Sequence, residues 1–280
     1  MATIRSFIQR HPVSLFYILV FAISWGGLLL LAGIDQIPGN PDQVKKLFPL
    51  ALVIMFAGPS FSGLLMTLLV SGKPGLRELL SRLLRWQIGL RWYAIALLTG
   101  PLLVAAILWL LSQFSSAFIP GIVTADDKIV QVLFGLGWGL LGGGLLEELG
   151  WTGFAVPRLR LRYSGLGTGL IVGLLWGVWH ILIAFWSSNA LAGSLSLTTF
   201  VAGFLAFYLV ALPAYRILLV WVHDRTNSLV VVMLMHAFLS ASTLILQPQD
   251  TSGYLTWNIV VAAALWLVVA AAAVVCRRWR

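Results

Sequence analysis

The sequence predicts an all-α membrane protein, built as a single integral-membrane domain over residues 1–280, with about eight transmembrane helices and one amphipathic interfacial helix. The first observation behind this prediction is that 60% of the residues are hydrophobic and only 10% are charged, whereas a soluble domain carries about a quarter charged residues. The second is a series of apolar runs, each of about 20 residues, the length that crosses a bilayer. The third is that basic residues gather between alternate runs. So much apolar surface requires lipid as its solvent.

The apolar runs define the predicted spans. The first run is too long for a signal-peptide core, and no clear cleavage site follows it, so we expect it to remain as a helix. The spans are predicted at about 13–33, 47–71, 93–113, 130–153, 167–187, 198–220, 229–247 and 255–276.

The basic residues predict the orientation of these spans. With both termini in the cytoplasm, all of the 18 basic residues except Lys45, Lys46 and Lys128 fall on the cytoplasmic side, as the positive-inside rule requires. We therefore expect a multi-pass protein of the cell membrane. The net charge of +9 is explained by this placement, so no nucleic-acid partner is predicted. The single cysteine, Cys276, excludes a disulfide framework and a cysteine-rich metal site.

An amphipathic segment begins at Gly75, between the second and third predicted spans. Its leucines recur at helical spacing and are expected to face the membrane, while its arginines face the lipid headgroups. This pattern predicts an interfacial helix. The leucines are Leu76, Leu79, Leu80, Leu83 and Leu84.

A few ionisable residues lie well inside the predicted spans. Glu147 and Glu148 are in the fourth span, His180 is in the fifth and His236 is in the seventh. A buried acid costs about 2.5–3.5 kcal/mol on insertion scales, so such residues need partners and usually serve a function. The depths of the three spans overlap in the cytoplasmic half of the membrane, which predicts one shared site.

Other ionisable groups are expected to stay outside this site. Arg216 lies near the cytoplasmic end of the sixth span, where its long side chain can extend to the headgroups. His11 and His223 lie in polar flanks, where we expect them to be solvated.

Local spacing adds detail to the predicted site. Two consecutive helical residues point about 100° apart, so Glu147 and Glu148 cannot do the same work. Thr152 shares a helix face with Glu148, and Ser240 shares one with His236, because both pairs are four residues apart. Trp176, one turn before His180, is predicted to pack on that histidine.

A carboxylate beside imidazoles suits the activation of water. A serine nucleophile is less favoured, because Ser240 and His236 lie on one helix without an obvious third member. The HExxH pattern of zinc proteases is absent. Glu147, His180 and His236 could still bind a divalent metal such as zinc across helices, so the cofactor, none or a metal, stays open at this point.

Three sequence runs together carry a family resemblance. They are EELGWTGFAVPRL, WGVWH and HAFLS, each on a separate predicted span. In this order they resemble the motifs EExxxR, (F/W)xxxH and HxxxN of the CPBP family, which comprises CAAX prenyl proteases of the Rce1 type and bacterial Abi or bacteriocin-immunity membrane proteins. The segment AGPSFSGLLMTLL at 57–69 and the basic stretch after it also look like the family, so the resemblance covers about residues 55–245.

The resemblance implies an intramembrane endopeptidase of the glutamate type, acting on a peptide or a membrane protein within the lipid bilayer. Glu147 would be the general base that activates water, with help from His180. His236 and the residue at position 240 would form the oxyanion hole. The second glutamate, Glu148, would pair with the arginine of the motif and orient the site.

The sequence departs from the family pattern at two positions. Thr152 stands where the motif has its arginine, so Glu148 has three alternatives: to accept the Thr152 hydroxyl, to reach Arg158, or to stay protonated. Ser240 stands where the motif has asparagine, and its hydroxyl can still donate one hydrogen bond to an oxyanion. Two other functions remain open: a catalytically weak or inactive member that acts as an immunity or accessory protein, and a transporter that uses the buried acids.

Overall fold

The computed structural model describes residues 2–191, 195–248 and 250–275, and all regular elements within these ranges are helical. The predicted all-α fold class is confirmed. Cys276 and the arginines Arg277, Arg278 and Arg280 lie outside the described residues. The helices are α1 (Ala2–Arg10), α2 (Pro12–Ala32), α3 (Pro41–Leu83), α4 (Leu90–Ser112), α5 (Lys128–Leu159), α6 (Gly165–Asn189), α7 (Leu197–Thr226), α8 (Leu229–Ile245) and α9 (Tyr254–Val275).

The membrane-spanning character of these helices follows from their length and apolar composition. In the described part of the chain, seven helices are long and apolar enough to cross a membrane, and they coincide with seven of the predicted spans. The remaining predicted span, 229–247, is the shorter helix α8 of 17 residues. At 1.5 Å per residue α8 is about 26 Å long, slightly less than the ~30 Å hydrocarbon core.

Helix α3 contains a sharp break between its transmembrane part and its amphipathic end. Gly72 has φ of 62°, a conformation that glycine adopts at little cost. After this break Leu80 and Leu84 are exposed, as predicted. Leu79 and Arg82 correct the prediction, because both are buried in the protein and do not face lipid or headgroups. Leu79 packs with Leu229 of α8. The buried guanidinium of Arg82 donates a hydrogen bond from Nη2 to the carbonyl oxygen of Gly153 at 3.1 Å.

Helix α5 positions the glutamates through an irregular backbone. The stretches Gly139–Glu147 and Trp151–Ala155 are π-helical, a form that is frequent at functional sites. The run of glycines in the first stretch lets α8 approach closely: a Cβ on Gly144 would come within 2.9 Å of the Met233 carbonyl oxygen. This close approach brings the end of the π-helical stretch against the histidine-bearing face of α8.

Besides the small cluster of Leu79, Leu229 and Met233, the apolar interior forms two large clusters. One contains Phe16, Trp151 and Trp179. The other contains Tyr215 and Met235. Helix α5 contributes to the first cluster and α8 to the second, whereas α7 contributes to both, so polar contacts between these helices lie where the two clusters meet.

Candidate active site

Glu148 is the centre of a fully enclosed polar cluster. Its side chain has no solvent exposure, and Nη1 of Arg216 lies 2.8 Å from each carboxylate oxygen. His236 Nδ1 lies 2.8 Å from Oε1, and the Thr152 hydroxyl donates to Oε2. A buried charge is tolerated when it is paired and hydrogen-bonded. Of the alternatives for Glu148, the structure therefore shows the contact with Thr152, and it adds an arginine from another helix.

Arg216 corrects the sequence prediction, because its side chain does not extend to the headgroups. It is fully buried on α7, and its guanidinium also lies over the ring of Trp176, with Cζ 4.3 Å from the ring centroid. This cation–π contact adds to the ion pair. One signal could have found it: Arg216 lies nine residues before Arg225, about 14 Å deeper along a helix.

Arg158 is not the partner of Glu148. Its guanidinium donates to the Phe154 carbonyl and to the Ser71 hydroxyl, both at 3.2 Å, and lies over the Phe154 ring. The cation that the family motif leads one to expect at position 152 is thus supplied by Arg216. An arginine on a different helix, α7, therefore pairs with Glu148, and the turn that directly follows the glutamates does not supply the cation.

Glu147 has a separate set of partners, as the 100° angle between consecutive residues predicts. Its Oε2 accepts hydrogen bonds from Trp151 Nε1 at 3.1 Å and from Trp176 Nε1 at 2.5 Å. Both indoles bind the same oxygen, so Oε1 lies outside this pair of bonds. Glu147 also keeps 4% of its surface exposed, whereas Glu148 keeps none.

His180 lies beside Trp176, at a turn within α6. Its Nδ1 is 2.8 Å from the Trp176 carbonyl oxygen. Because a carbonyl only accepts, this contact assigns the proton to Nδ1 and leaves the Nε2 lone pair available. The ring contacts Trp176 edge-on, as predicted, and it also packs against Trp179 and Tyr208.

His236 and Ser240 face the glycine run of α5. The position that a Cβ would occupy on Gly143 is 2.9 Å from both His236 Nε2 and Ser240 Oγ. The absence of a side chain at Gly143 therefore leaves a small space in front of these two atoms. Ser240 is half-buried, so its hydroxyl is not sealed within the protein.

Trp176 connects the members of the site. It donates to Glu147, carries the guanidinium of Arg216 on its face, and has its ring centroid 4.9 Å from that of His236. Sequence reasoning assigned Trp176 only a packing role, and it missed Trp151 altogether as a donor. Among the described residues no direct hydrogen bond joins Glu147 to His180 or His236, and a water shared by these three stays a prediction.

The side chains offer no ready metal centre. Within the described ranges, no three His, Cys, Asp or Glu side chains come together as a group that could hold a metal ion, so the set Glu147, His180 and His236 does not form one. The contacts explain this, because His236 Nδ1 faces Glu148 and Glu147 Oε2 is bound by two indoles.

The number of long apolar helices among the described residues defines a multi-pass membrane protein. Residues 129–242 match the family model described as Type II CAAX prenyl endopeptidase Rce1-like. The chain is also 36% identical over 73 residues to CAAX prenyl protease 2 of Methanococcus maripaludis, a match that covers 26% of this chain and 24% of the relative. These findings show that part of the chain is similar to Rce1-like CAAX proteases. The match spans only about a quarter of this relative's length.

Proposed function

We propose that this protein is an intramembrane endopeptidase in which Glu147 activates the water that hydrolyses a peptide bond. The observation that carries the proposal is the asymmetric binding of this carboxylate. Two indole N–H groups fix Oε2 and leave Oε1 outside those bonds, while Glu148 is fully engaged by other partners. Of the two glutamates, only the first is free to exchange a proton with a substrate.

The proposed reaction begins with a water held by Glu147 and His180. Oε1 of Glu147 accepts one proton from the water, and the resulting hydroxide attacks the carbonyl carbon of the peptide bond. The Nε2 lone pair of His180 accepts a hydrogen bond from the same water and so orients it. The tetrahedral intermediate then collapses, the C–N bond breaks, and Glu147 returns the proton to the leaving amine.

The oxyanion is stabilised by Ser240 and His236 in the space beside Gly143. The Ser240 hydroxyl donates directly. His236 Nδ1 faces the carboxylate of Glu148 at 2.8 Å and carries a proton there, so Nε2 donates to an oxyanion only when the ring is an imidazolium. Glu148 thus acts on the reaction through His236, as a positioning residue that orients the imidazole ring.

A peptide or a membrane protein that reaches the site from the lipid is the proposed substrate class. The family description and the relative's name both refer to CAAX prenyl proteins, so a prenylated C-terminal peptide is the first substrate to test. An unprenylated peptide of the same sequence shows whether the lipid is recognised. We also propose that both termini lie in the cytoplasm.

The test is cleavage of a fluorogenic peptide by the purified full chain in nanodiscs. Glu147→Gln should lower the rate about 10²–10⁴-fold, while the unfolding temperature stays close to that of the unmodified protein. Asp126→Asn, which changes an exposed acid, is the control and should keep full activity. Cleavage by Glu147→Gln at the unmodified rate would overturn the proposal. If the cellular phenotype also persists in that variant, an immunity or accessory role is favoured instead.

A further inference from the structure

A cavity lined by basic residues lies apart from the polar cluster around Glu148. A cavity of about 680 Å³ opens where the start of α2, the amphipathic end of α3, the end of α5 and the α7–α8 connection meet. Its volume lies within the ~300–1,000 Å³ range of small-molecule sites. Four arginines line it, against one acidic lining residue, Glu78. These arginines are Arg10, Arg82, Arg158 and Arg162.

Two buried side chains that line this cavity, His223 and Arg82, carry nitrogen atoms without a hydrogen-bond partner among the described residues. His223 is 7% exposed, and neither of its ring nitrogens makes a hydrogen bond to the described residues. Its nearest acid is Asp224, whose Oδ1 is 3.9 Å from Nδ1 and whose carboxylate is held by Arg160 at 2.9 Å. The buried Nε of Arg82 also lacks a hydrogen bond, although Glu78 Oε1 lies 3.6 Å away. The burial of His223 corrects the prediction that this histidine is solvated.

Buried polar groups are hydrogen-bonded as a rule, so these nitrogens indicate that the cavity takes a ligand with acceptor atoms. Several positive charges with few acids favour an anionic ligand. Guanidinium groups match the geometry of phosphate oxygens and form charge-assisted bonds with them. Arg10 and Arg162 are exposed at the rim and, among the described residues, have no side-chain hydrogen bond or ion pair, so both are available to a ligand.

The position of the cavity favours a lipid as the source of the phosphate. Beside the arginines, the lining includes the apolar Val13 and Leu161, and the second of these is 84% exposed. We propose that this cavity binds the phosphate group of an anionic ligand, with an anionic phospholipid headgroup as the source that its surroundings favour. The lining contains none of Glu147, His180, His236 or Ser240, so this site is separate from the proposed hydrolytic site.

The test is binding of short-chain phospholipids to the purified full chain in detergent, measured by native mass spectrometry. Dioctanoyl phosphatidylglycerol should bind, and dioctanoyl phosphatidylcholine should bind far more weakly, because its choline cation offsets the phosphate charge and is repelled by the arginines. Arg162→Gln and Arg10→Gln should each weaken phosphatidylglycerol binding about tenfold, the loss of one charge-assisted contact. Arg77→Gln, an exposed arginine on the amphipathic end of α3 that lies outside the lining, is the matched control.

Competition with inorganic phosphate identifies the source of the phosphate group. If phosphate displaces phosphatidylglycerol and its own binding weakens in Arg162→Gln, the site recognises the phosphate group itself, whether free or in a lipid. If phosphate does not compete while the variants still weaken the lipid, the whole headgroup is recognised. Equal binding of the two lipids, or equal behaviour of Arg162→Gln and Arg77→Gln, would overturn the proposal. All three variants change exposed side chains, so their unfolding temperatures should stay unchanged.

Discussion

Nη1 of Arg216 lies 2.8 Å from both carboxylate oxygens of Glu148, and both side chains are completely enclosed. The two residues come from different helices, 68 positions apart in the chain. This pair anchors α7 to α5 and holds the carboxylate that contacts His236. Loss of this pair is therefore expected to affect both the stability of the helix bundle and the proposed chemistry.

Removal of the cation should strongly destabilise the protein. Arg216→Gln leaves the Glu148 carboxylate buried without its ion-pair partner, which costs about 3–5 kcal/mol in comparable cases. Thermal unfolding in detergent measures the loss. The double variant Arg216→Gln/Glu148→Gln should recover part of it, because no unpaired charge remains. Arg225→Gln, at an exposed position of the same helix, is the control; an equal effect of both single variants would contradict the prediction.

An arginine restored at the motif position should not improve this protein. Thr152 is 1% exposed, so Thr152→Arg places a second guanidinium in an enclosed site that already holds one. We expect a lower unfolding temperature than in the unmodified chain. Combining it with Arg216→Met returns the cluster to one cation and should restore part of the stability. A single variant as stable as the unmodified protein would show that the site accommodates both cations.

The hydrogen bond from Trp176 should matter for catalysis beyond its packing. Trp176→Phe keeps an aromatic ring but removes the N–H that lies 2.5 Å from Glu147 Oε2. A hydrogen bond to a charged group contributes about 1.5–3 kcal/mol, so peptide cleavage should fall at least tenfold. Trp186→Phe is the matched control, because that indole is fully buried and its Nε1 has no hydrogen-bond partner among the described residues. Equal rates in the two variants would remove the proposed role of the indole.

Gly143→Ala should reduce activity without unfolding the protein. The new methyl group would lie 2.9 Å from His236 Nε2 and Ser240 Oγ, so it fills the space proposed for the oxyanion. Loss of one oxyanion donor lowers rates about 10²–10³-fold, and we expect an effect of that size on kcat. Alanine is also the better helix former by about 1 kcal/mol, so the unfolding temperature should hold. Gly137→Ala, where a Cβ meets nothing within 4 Å, is the control.

The sequence was informative where one physical effect dominates. Apolar length determines the helices, and all seven long spans coincide with predicted runs. The rarity of charge in lipid directed attention to Glu147, Glu148, His180 and His236, and the structure gathers them around Trp176. Their roles in catalysis stay a prediction.

Sequence patterns failed where a partner comes from a distant helix. The prediction that Arg216 extends to the headgroups followed a rule for side chains near a helix end, but pairing with Glu148 outweighed it. Arg82 and His223 were assigned to polar surroundings from their local sequence, and both are buried. Indole donors cannot be told from packing tryptophans by spacing alone, which is why Trp151 was missed.

The pairing across helices also bears on how other chains of this kind are recognised. A pattern that demands arginine four residues after the second glutamate treats its loss as a sign of an inactive protein. Here the required positive charge persists at a position that such a pattern does not inspect. Chains that carry threonine in that turn deserve a search for a compensating basic residue in the middle of a later hydrophobic segment before they are set aside as degenerate.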